Sequence, residues 1–176
     1  MRILGIDPGS RATGYGIVNG DDETLVDAGV VRLDGDDDHP DRLKQIYDRL
    51  TALIGKHAPE TFAIEMPVYG KNPQSMLKLG RAQAAAMMAG LNADLPVAQY
   101  TPKEIKKSVT GNGNASKDQV RFMIKSILTL DEAPTHDAAD ALATALCHNN
   151  RDAHDEGESY TGWASFVDAN PDRVSE

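Results

Sequence analysis

The first third of the chain alternates short apolar runs with turn signals. Three such runs are separated by glycine, asparagine and aspartate, and lie near residues 2–7, 14–19 and 25–33. This pattern predicts three consecutive antiparallel strands. DDDHP then predicts a solvated loop that ends at Pro40. From Leu43 to Ile54, apolar residues recur at helical spacing and indicate an amphipathic helix on the sheet.

Strands and helices alternate in the remainder. The predicted strands are TFAIE (61–65) and PVAQY (96–100). The predicted helices cover 73–91, a segment that starts after Thr101, 116–129, and a last segment from Thr135, its expected cap, to about 150. The whole pattern predicts an α/β fold, with a mixed five-stranded sheet flanked by helices. Residues 1–150 form the predicted domain, and the acidic, unpatterned residues 151–176 are expected to be a flexible tail.

The helix predicted over 73–91 is apolar nearly all round, since it is rich in Met, Ala and Leu. Such a helix must be buried on more than one side. One side can cover the sheet. The other side either meets a second subunit or lies deep in the core, and the sequence leaves both possibilities open.

Length and composition limit the class of protein. A chain of 176 residues with 40% hydrophobic content can form one sizeable core. No apolar run approaches the ~20 residues that cross a bilayer, and no secretory signal is evident, so we expect a cytoplasmic protein with no membrane partner. The single cysteine, Cys147, cannot form an internal disulfide, and its apolar neighbours indicate helix packing.

The distribution of charge points to a nucleic acid, although the net charge of -9 does not. Residues 1–70 carry 7 Lys and Arg against 13 Asp and Glu, and residues 126–176 carry 2 against 11. Residues 71–125 carry 9 against 3 and form a basic segment. A basic segment of this kind is either a solvated helix face or a phosphate-binding surface.

Four acidic residues have positions that suit metal binding. Asp7 and Glu65 each end a predicted strand, and Asp137 and Asp140 share one face of the last helix. Oxygen-only ligands favour Mg²⁺ or Mn²⁺, and two such ions can hydrolyse a phosphodiester. The alternatives are a turn or a nucleotide-phosphate contact at Asp7, and solvated first-turn acids in the helix. His136 is either solvated, a metal ligand or a proton carrier.

Five motifs occur in order: LGIDPGSRATGYGIV, FAIE, KNPQSMLKLGRAQAAA, KKSVTGNGNASKDQV and HDAADALATAL. In this order the chain resembles the RuvC family of Holliday-junction resolvases over about residues 2–148. The resemblance implies a ribonuclease-H-like fold of the retroviral-integrase superfamily and a homodimer. It further implies nicking of two opposed strands of a four-way DNA junction. Two Mg²⁺ ions per subunit are expected, with Mn²⁺ as a substitute, and the RuvA–RuvB branch-migration complex as a partner.

The resemblance also assigns roles to residues. The catalytic, metal-binding carboxylates would be Asp7, Glu65, Asp137 and Asp140, and Lys117 would stabilise charge that develops on the phosphate. The expected DNA contacts are Tyr69, Lys71, Asn72, Lys78, Arg81, Lys106, Lys107 and Lys117. One departure concerns the aromatic residue that usually follows the second carboxylate by three positions. Here Val68 holds that position, so either Tyr69 stacks on a base instead or the junction opens with less stacking.

Three other functions fit parts of the pattern. GIDPGS also resembles the phosphate turn of kinase-like ATPases, although those proteins need a second domain. A non-cleaving junction-binding protein could keep the same scaffold. A nuclease acting on ribosomal RNA precursors could share the fold, although the Met-rich helix and GNGNASK favour the junction enzyme.

Overall fold

Five strands form one mixed sheet. The computed structural model describes residues 1–33, 35, 37–67 and 72–155, with the backbone alone from 152 onward. The strands are β1 (Arg2–Asp7), β2 (Ala12–Asn19), β3 (Thr24–Arg32), β4 (Thr61–Glu65) and β5 (Val97–Tyr100). Their order across the sheet is β3-β2-β1-β4-β5. The predicted mixed five-stranded sheet is confirmed.

The strand directions bring two carboxylates to one edge of the sheet. Strand β1 pairs antiparallel with β2 and parallel with β4, and β4 pairs parallel with β5. Ile6 lies opposite Ile64 in this register, so Asp7 and Glu65 end neighbouring parallel strands at the same edge. Strand β3 is antiparallel to β2 and therefore also ends there.

Helices cover both faces of the sheet. They are α1 (His39–His57), α2 (Pro73–Leu91), α3 (Pro102–Thr110), α4 (Lys117–Ile127) and α5 (His136–Asp155). Helices α1 and α2 share a hydrophobic core with one face of the sheet, and the other three share a second core with the opposite face. Cys147 is buried in the second core, which confirms its packing role. Among the described helices, none is sufficiently long and apolar to cross a membrane.

Three predicted boundaries were wrong. Helix α1 begins at His39 rather than after Pro40, because proline is compatible with the first turn of a helix, where its missing N–H is not needed. Helix α4 starts after Ser116, whose side chain caps it. Helix α5 continues to Asp155, past the predicted end of this helix at about 150. The rest of the predicted tail, 156–176, lies outside the described residues.

Glycines allow α5 to lie directly on the sheet. A Cβ added at Gly5 would come within 2.2 Å of the carbonyl oxygen of Ala141. At Gly14, which pairs with Asp7, it would come within 2.1 Å of the carbonyl oxygen of Asp137. Only glycine permits so close an approach of helix and strand backbones. This contact fixes the first turns of α5 over the edge where β1 ends.

Helix α2 is buried on one side alone. Small residues face the sheet and α1, and Ala82, Ala86 and Ala89 are buried. On the outer side Leu77 is 55% exposed and Leu91 is 48% exposed. The deep-core interpretation of this helix was therefore wrong for its outer face.

Candidate active site

Three of the four predicted carboxylates line one cavity. Asp7, Glu65 and Asp140 come from β1, β4 and α5, and they surround a cavity of about 200 Å³. Two lysines complete its charged wall, Lys106 from α3 and Lys117 from α4. Apolar side chains form the remainder of the lining: Pro102, Ile105 and Val120. The cavity thus combines carboxylates and ammonium groups on a partly apolar wall.

An ion pair connects the acidic and basic sides of this cavity. Lys117 Nζ donates to Asp140 Oδ2 at 2.6 Å, and the carboxylate is only 15% exposed. Lys117 is the first residue of α4, where a reciprocal capping box between Ser116 and Gln119 fixes the helix start. The cap therefore sets the position of the lysine.

The carboxyl groups of Asp7 and Glu65, at the ends of their strands, have raised pKa values. Burial raises the pKa of Asp7 to about 7, and the carboxylate of Asp140 adds to the effect, while Lys117 opposes it. The pKa of Glu65 is raised to about 8. Burial is the largest cause, and the negative charges of Asp7 and Asp140 raise it further. The nearby lysines do not offset the desolvation and the mutual repulsion of these acids.

Asp137 lies about one helical turn before Asp140 on α5. It is half-buried at the start of α5, its carbonyl faces Gly14, and it is not among the residues that line the cavity. Its carboxylate still raises the pKa of Asp7, more weakly than burial and Asp140 do. The predicted pair on α5 is therefore asymmetric, because Asp140 is in the cavity and Asp137 is beside it.

The donor set fits a hard divalent cation. Carboxylate oxygens are the ligands that Mg²⁺ and Mn²⁺ prefer, and a cation would relieve the repulsion that raises both pKa values. Within the described part of the chain, no group of three Asp, Glu, His or Cys side chains is arranged to hold a metal as it stands. In this arrangement Asp140 receives its counter-charge from Lys117.

The other predicted site residues that the structure describes do not line this cavity. Lys107 is exposed on α3 and does not line the cavity, and Lys78 and Arg81 are exposed on α2. Asn72 caps α2 through its side-chain oxygen. Val68, Tyr69 and Lys71 lie outside the described residues. His136 is exposed, with Nε2 3.7 Å from Asp118 Oδ1.

The glycine loop between α3 and α4 satisfies much of its own backbone. Asn112 N donates to Thr110 Oγ1, Asn114 N donates to Asn112 Oδ1, and Ala115 N donates to the carbonyl oxygen of Asn112. These N–H groups are engaged within the loop. The loop therefore uses these N–H groups to hold its own turn between α3 and α4.

A buried histidine network was not predicted. His148 on α5 is 8% exposed, and its Nε2 lies 3.0 Å from Thr61 Oγ1 while its Nδ1 lies 2.7 Å from the Tyr100 hydroxyl. Thr61 in turn donates to the carbonyl oxygen of Pro96. Sequence signals could not identify these partners, because they come from three elements far apart along the chain.

Comparison with known proteins decides the family. The model of "Crossover junction endodeoxyribonuclease RuvC" matches residues 3–148. A protein of that name from Salinibacter ruber (strain DSM 13855 / M31) is 75% identical and covers 100% of both chains. The chain belongs to the RuvC family. The enzyme class expected from the motifs, a crossover junction endodeoxyribonuclease, is thereby confirmed.

Solved RuvC structures share the fold. A Thermus thermophilus RuvC structure matches with a TM-score of 0.79 at 31% identity, and covers 88% of this chain and 97% of the other. T. thermophilus RuvC in complex with a Holliday junction substrate matches with a TM-score of 0.78 at 31% identity, covering 87% and 95%. The expected ribonuclease-H-like architecture of RuvC is confirmed, and membership of RuvC speaks against the ATPase alternative.

Proposed function

We propose that this protein resolves four-way DNA junctions by metal-dependent hydrolysis of two opposed strands. The observation that carries the proposal is the cavity where Asp7, Glu65 and Asp140 meet beside Lys117. The junction bound to the T. thermophilus relative supports the choice of substrate. The products would carry 5′-phosphate and 3′-hydroxyl ends that can be religated, as homologous recombination and DNA repair require.

The carboxylates and the lysines of the cavity would have different roles. Asp7, Glu65 and Asp140 would hold Mg²⁺, with Asp137 close enough to contribute. When bound, the metal ions supply activation of water and stabilisation of the leaving oxygen. Lys117 places a positive charge at the cavity wall, where it can stabilise charge that develops on the phosphate. Lys106 lines the same cavity and would add to that charge.

DNA binding would use the basic segment, residues 71–125. Arg81 and Lys78 on α2 and Lys107 on α3 are exposed, and phosphate contacts with lysine and arginine supply most sequence-independent affinity. Lys71 and Tyr69 belong to the same proposal by their sequence positions, and so does Asn72. A branch-migration complex of the RuvA–RuvB kind is the proposed partner in the cell.

The outer face of α2 would join two subunits. Leu77, Met88 and Leu91 are 46–55% exposed on this helix, so its outer side carries three large apolar side chains in contact with solvent. A homodimer would bury this face and present two cavities to symmetric strands. Replacing Leu91 with Glu should give a monomer in sedimentation experiments, whereas a control at the exposed Lys103 of α3, Lys103→Glu, should stay dimeric.

One substrate comparison tests the proposal. A mobile four-way junction, a linear duplex and an RNA of the same sequence are incubated with the protein and Mg²⁺. We expect paired nicks in the junction alone, and religation of the products by ligase. Preferential cleavage of RNA would favour the RNA-processing alternative, and binding of the junction without nicks would favour the non-cleaving one.

A further inference from the structure

A cavity lies between helix α1 and the edge strand β3. Its volume is about 490 Å³, against about 200 Å³ for the cavity at the candidate active site. It shares no lining residue with that cavity, or with a neighbouring one of about 190 Å³ that also contains Asp7 and Glu65. We name it the α1–β3 cavity, and it is lined by Tyr15, Val30, Val31, Arg32, Arg49, Ala52, Leu53 and Lys56.

The lining of the α1–β3 cavity is apolar in one part and basic in the other. Its three cations, Arg32, Arg49 and Lys56, are all exposed. Lys56 Nζ lies 3.5 Å from a carboxylate oxygen of Asp27, but none of the described residues that line the cavity is acidic. The other lining residues include the ring of Tyr15 and aliphatic side chains. Such a lining suits a negatively charged segment with a large apolar anchor.

The cavity borders a long, open edge of the sheet. Strand β3 has nine residues and stands at the end of the strand order, so within the described part of the chain its outer edge has no strand partner. Native proteins often cover such an edge, because its free N–H and C=O groups otherwise pair with another chain. An extended segment beside β3 would therefore gain a covered edge as well as the cavity.

The last part of the sequence has the matching chemistry. Residues 156–176 lie outside the described structure, and they contain five Asp and Glu against one Arg. Tyr160, Trp163 and Phe166 fall within seven residues of this segment, and Trp163 is the only tryptophan of the chain. Segments that remain unbound are usually poor in aromatic residues. The composition is thus typical of a segment that binds a basic and apolar surface.

Helix α5 ends near the start of β3. Asn149 Nδ2 donates to the carbonyl oxygen of Gly20 at 3.1 Å, so the last part of α5 lies beside the turn between β2 and β3. From Thr24 to Val30, which lines the cavity, β3 rises by about 20 Å. Trp163 comes eight residues after Asp155, and an extended chain of that length reaches about 26 Å. The reach of the segment and the length of the edge are therefore similar.

We propose that residues 158–168 bind in the α1–β3 cavity of their own chain, with Trp163 against the apolar lining. The acids at the two ends of this stretch, Glu158 and Asp168, then lie near the cations of the cavity. Strands β3 and β5 form opposite edges of the sheet, and α3 follows β5. A segment held at β3 does not compete with DNA phosphates for the lysines of α3. The binding itself does not depend on the proposed cleavage.

The fluorescence of Trp163 tests this proposal in the full chain, since no other tryptophan contributes. Under native conditions we expect emission at shorter wavelength, and less quenching by acrylamide, than for the same protein in urea. Arg49→Glu reverses an exposed charge of the cavity and should raise the ratio of unbound to bound segment about fivefold. Its emission should move towards that of the unfolded protein.

The control is Lys44→Glu, the same change of charge on the same helix. Lys44 is exposed, pairs with Asp48 and does not line the cavity, so its variant should match the parent. If circular dichroism shows that Arg49→Glu is unfolded, Ala52→Glu decides the matter, because Ala52 is exposed and lines the same cavity.

Three results would overturn the proposal. They are a parent emission equal to that in urea, equal emission of Arg49→Glu and Lys44→Glu, and loss of the protected emission on dilution. The last result would mean that the segment comes from a second copy. Junction cleavage is not part of this readout, so each of these results would leave the proposed function standing.

Discussion

Strand β4 and helix α5 face each other at two polar places with opposite character. At one place Glu65 and Asp140 border the active-site cavity, and at the other Thr61 and His148 form a buried network. In the network each polar group has a partner: Thr61 donates to the carbonyl oxygen of Pro96, its Oγ1 lies 3.0 Å from His148 Nε2, and the Tyr100 hydroxyl lies 2.7 Å from Nδ1. At the cavity, Lys117 donates a hydrogen bond to Asp140, one of the three carboxylates that line it.

This difference in hydrogen bonding and charge indicates which of the two polar clusters is a binding site. A buried network in which every donor meets an acceptor rigidifies the fold and needs nothing further. Buried carboxylates that repel one another raise their pKa values and weaken the fold until a cation compensates them. The same two elements therefore contribute stability at one place and a binding site at the other.

The largest expected effect is the loss of cleavage in Asp7→Asn. Asp7 lies between the two cavities and acts on Glu65, so its removal should slow junction cleavage by on the order of a thousandfold or more. Binding of the junction should be largely kept. Single-turnover cleavage of a labelled junction measures the rate, with Asp48→Asn as a surface control. Mg²⁺-dependent cleavage at the parental rate would contradict the site.

Next in size is Lys117→Ala. Removal of the ammonium from the cavity wall should slow cleavage about a hundredfold, since its charge acts on the phosphate during reaction more than on bound DNA. Lys107→Ala is the matched control, because Lys107 is exposed on the neighbouring helix and does not line the cavity. At saturating protein, Lys107→Ala should cleave at the parental rate. A variant of Lys117 that weakens binding but cleaves normally would make this residue a phosphate contact only.

In the histidine network, Thr61→Val should lower stability and leave the rate of cleavage unchanged, the opposite of what is expected at the cavity. This nearly isosteric change leaves His148 Nε2 without its threonine partner and should lower the free energy of unfolding by about 2 kcal/mol. The rate of cleavage below the melting transition should not change. Urea denaturation measures the first quantity and the junction assay the second. Slower cleavage at unchanged stability would mean that the network and the cavity are coupled.

Local patterns in the sequence predicted the carboxylate edge well. Asp7 and Glu65 each follow an apolar strand and precede a proline that ends it, so their shared edge follows from parallel pairing. Helical spacing placed Asp137 and Asp140 on one face. It could not say that Asp140 alone lines the cavity, because the approach of Asp137 to Gly14 depends on how α5 lies on the sheet.

Contacts between residues far apart along the chain could not be predicted from sequence patterns. The basic segment, residues 71–125, does not include α1, yet Arg42 of α1 and Arg81 of α2 both lower the pKa of His39, after the effect of burial. His39 was assigned to a loop, because Pro40 was interpreted as the end of that loop rather than as a first-turn residue. His148 gave no signal, since a histidine in an apolar helix does not reveal that its partners lie on β4 and β5.

The smallest expected effect is on stability and sharpens the contrast between the two clusters. In the metal-free protein the pKa of Asp7 is raised to about 7, so the folded state holds its proton more tightly than the unfolded state. Its contribution to stability is complete below the ordinary pKa near 4 and is lost as the pH rises towards 7. Asp7→Asn cannot ionise and escapes this loss.

The variant should therefore gain stability over the parent by on the order of 1 to 2 kcal/mol between pH 5 and pH 7.5. Urea denaturation in EDTA measures this difference, and Asp48→Asn, an exposed acid paired with Lys44, should show none of it. Added Mg²⁺ should stabilise the parent and reduce the advantage of the variant, because the cation compensates the carboxylate that asparagine replaces. A difference that is constant from pH 5 to pH 7.5 would mean that Asp7 is already neutralised without metal, and that the cavity is as complete as the histidine network.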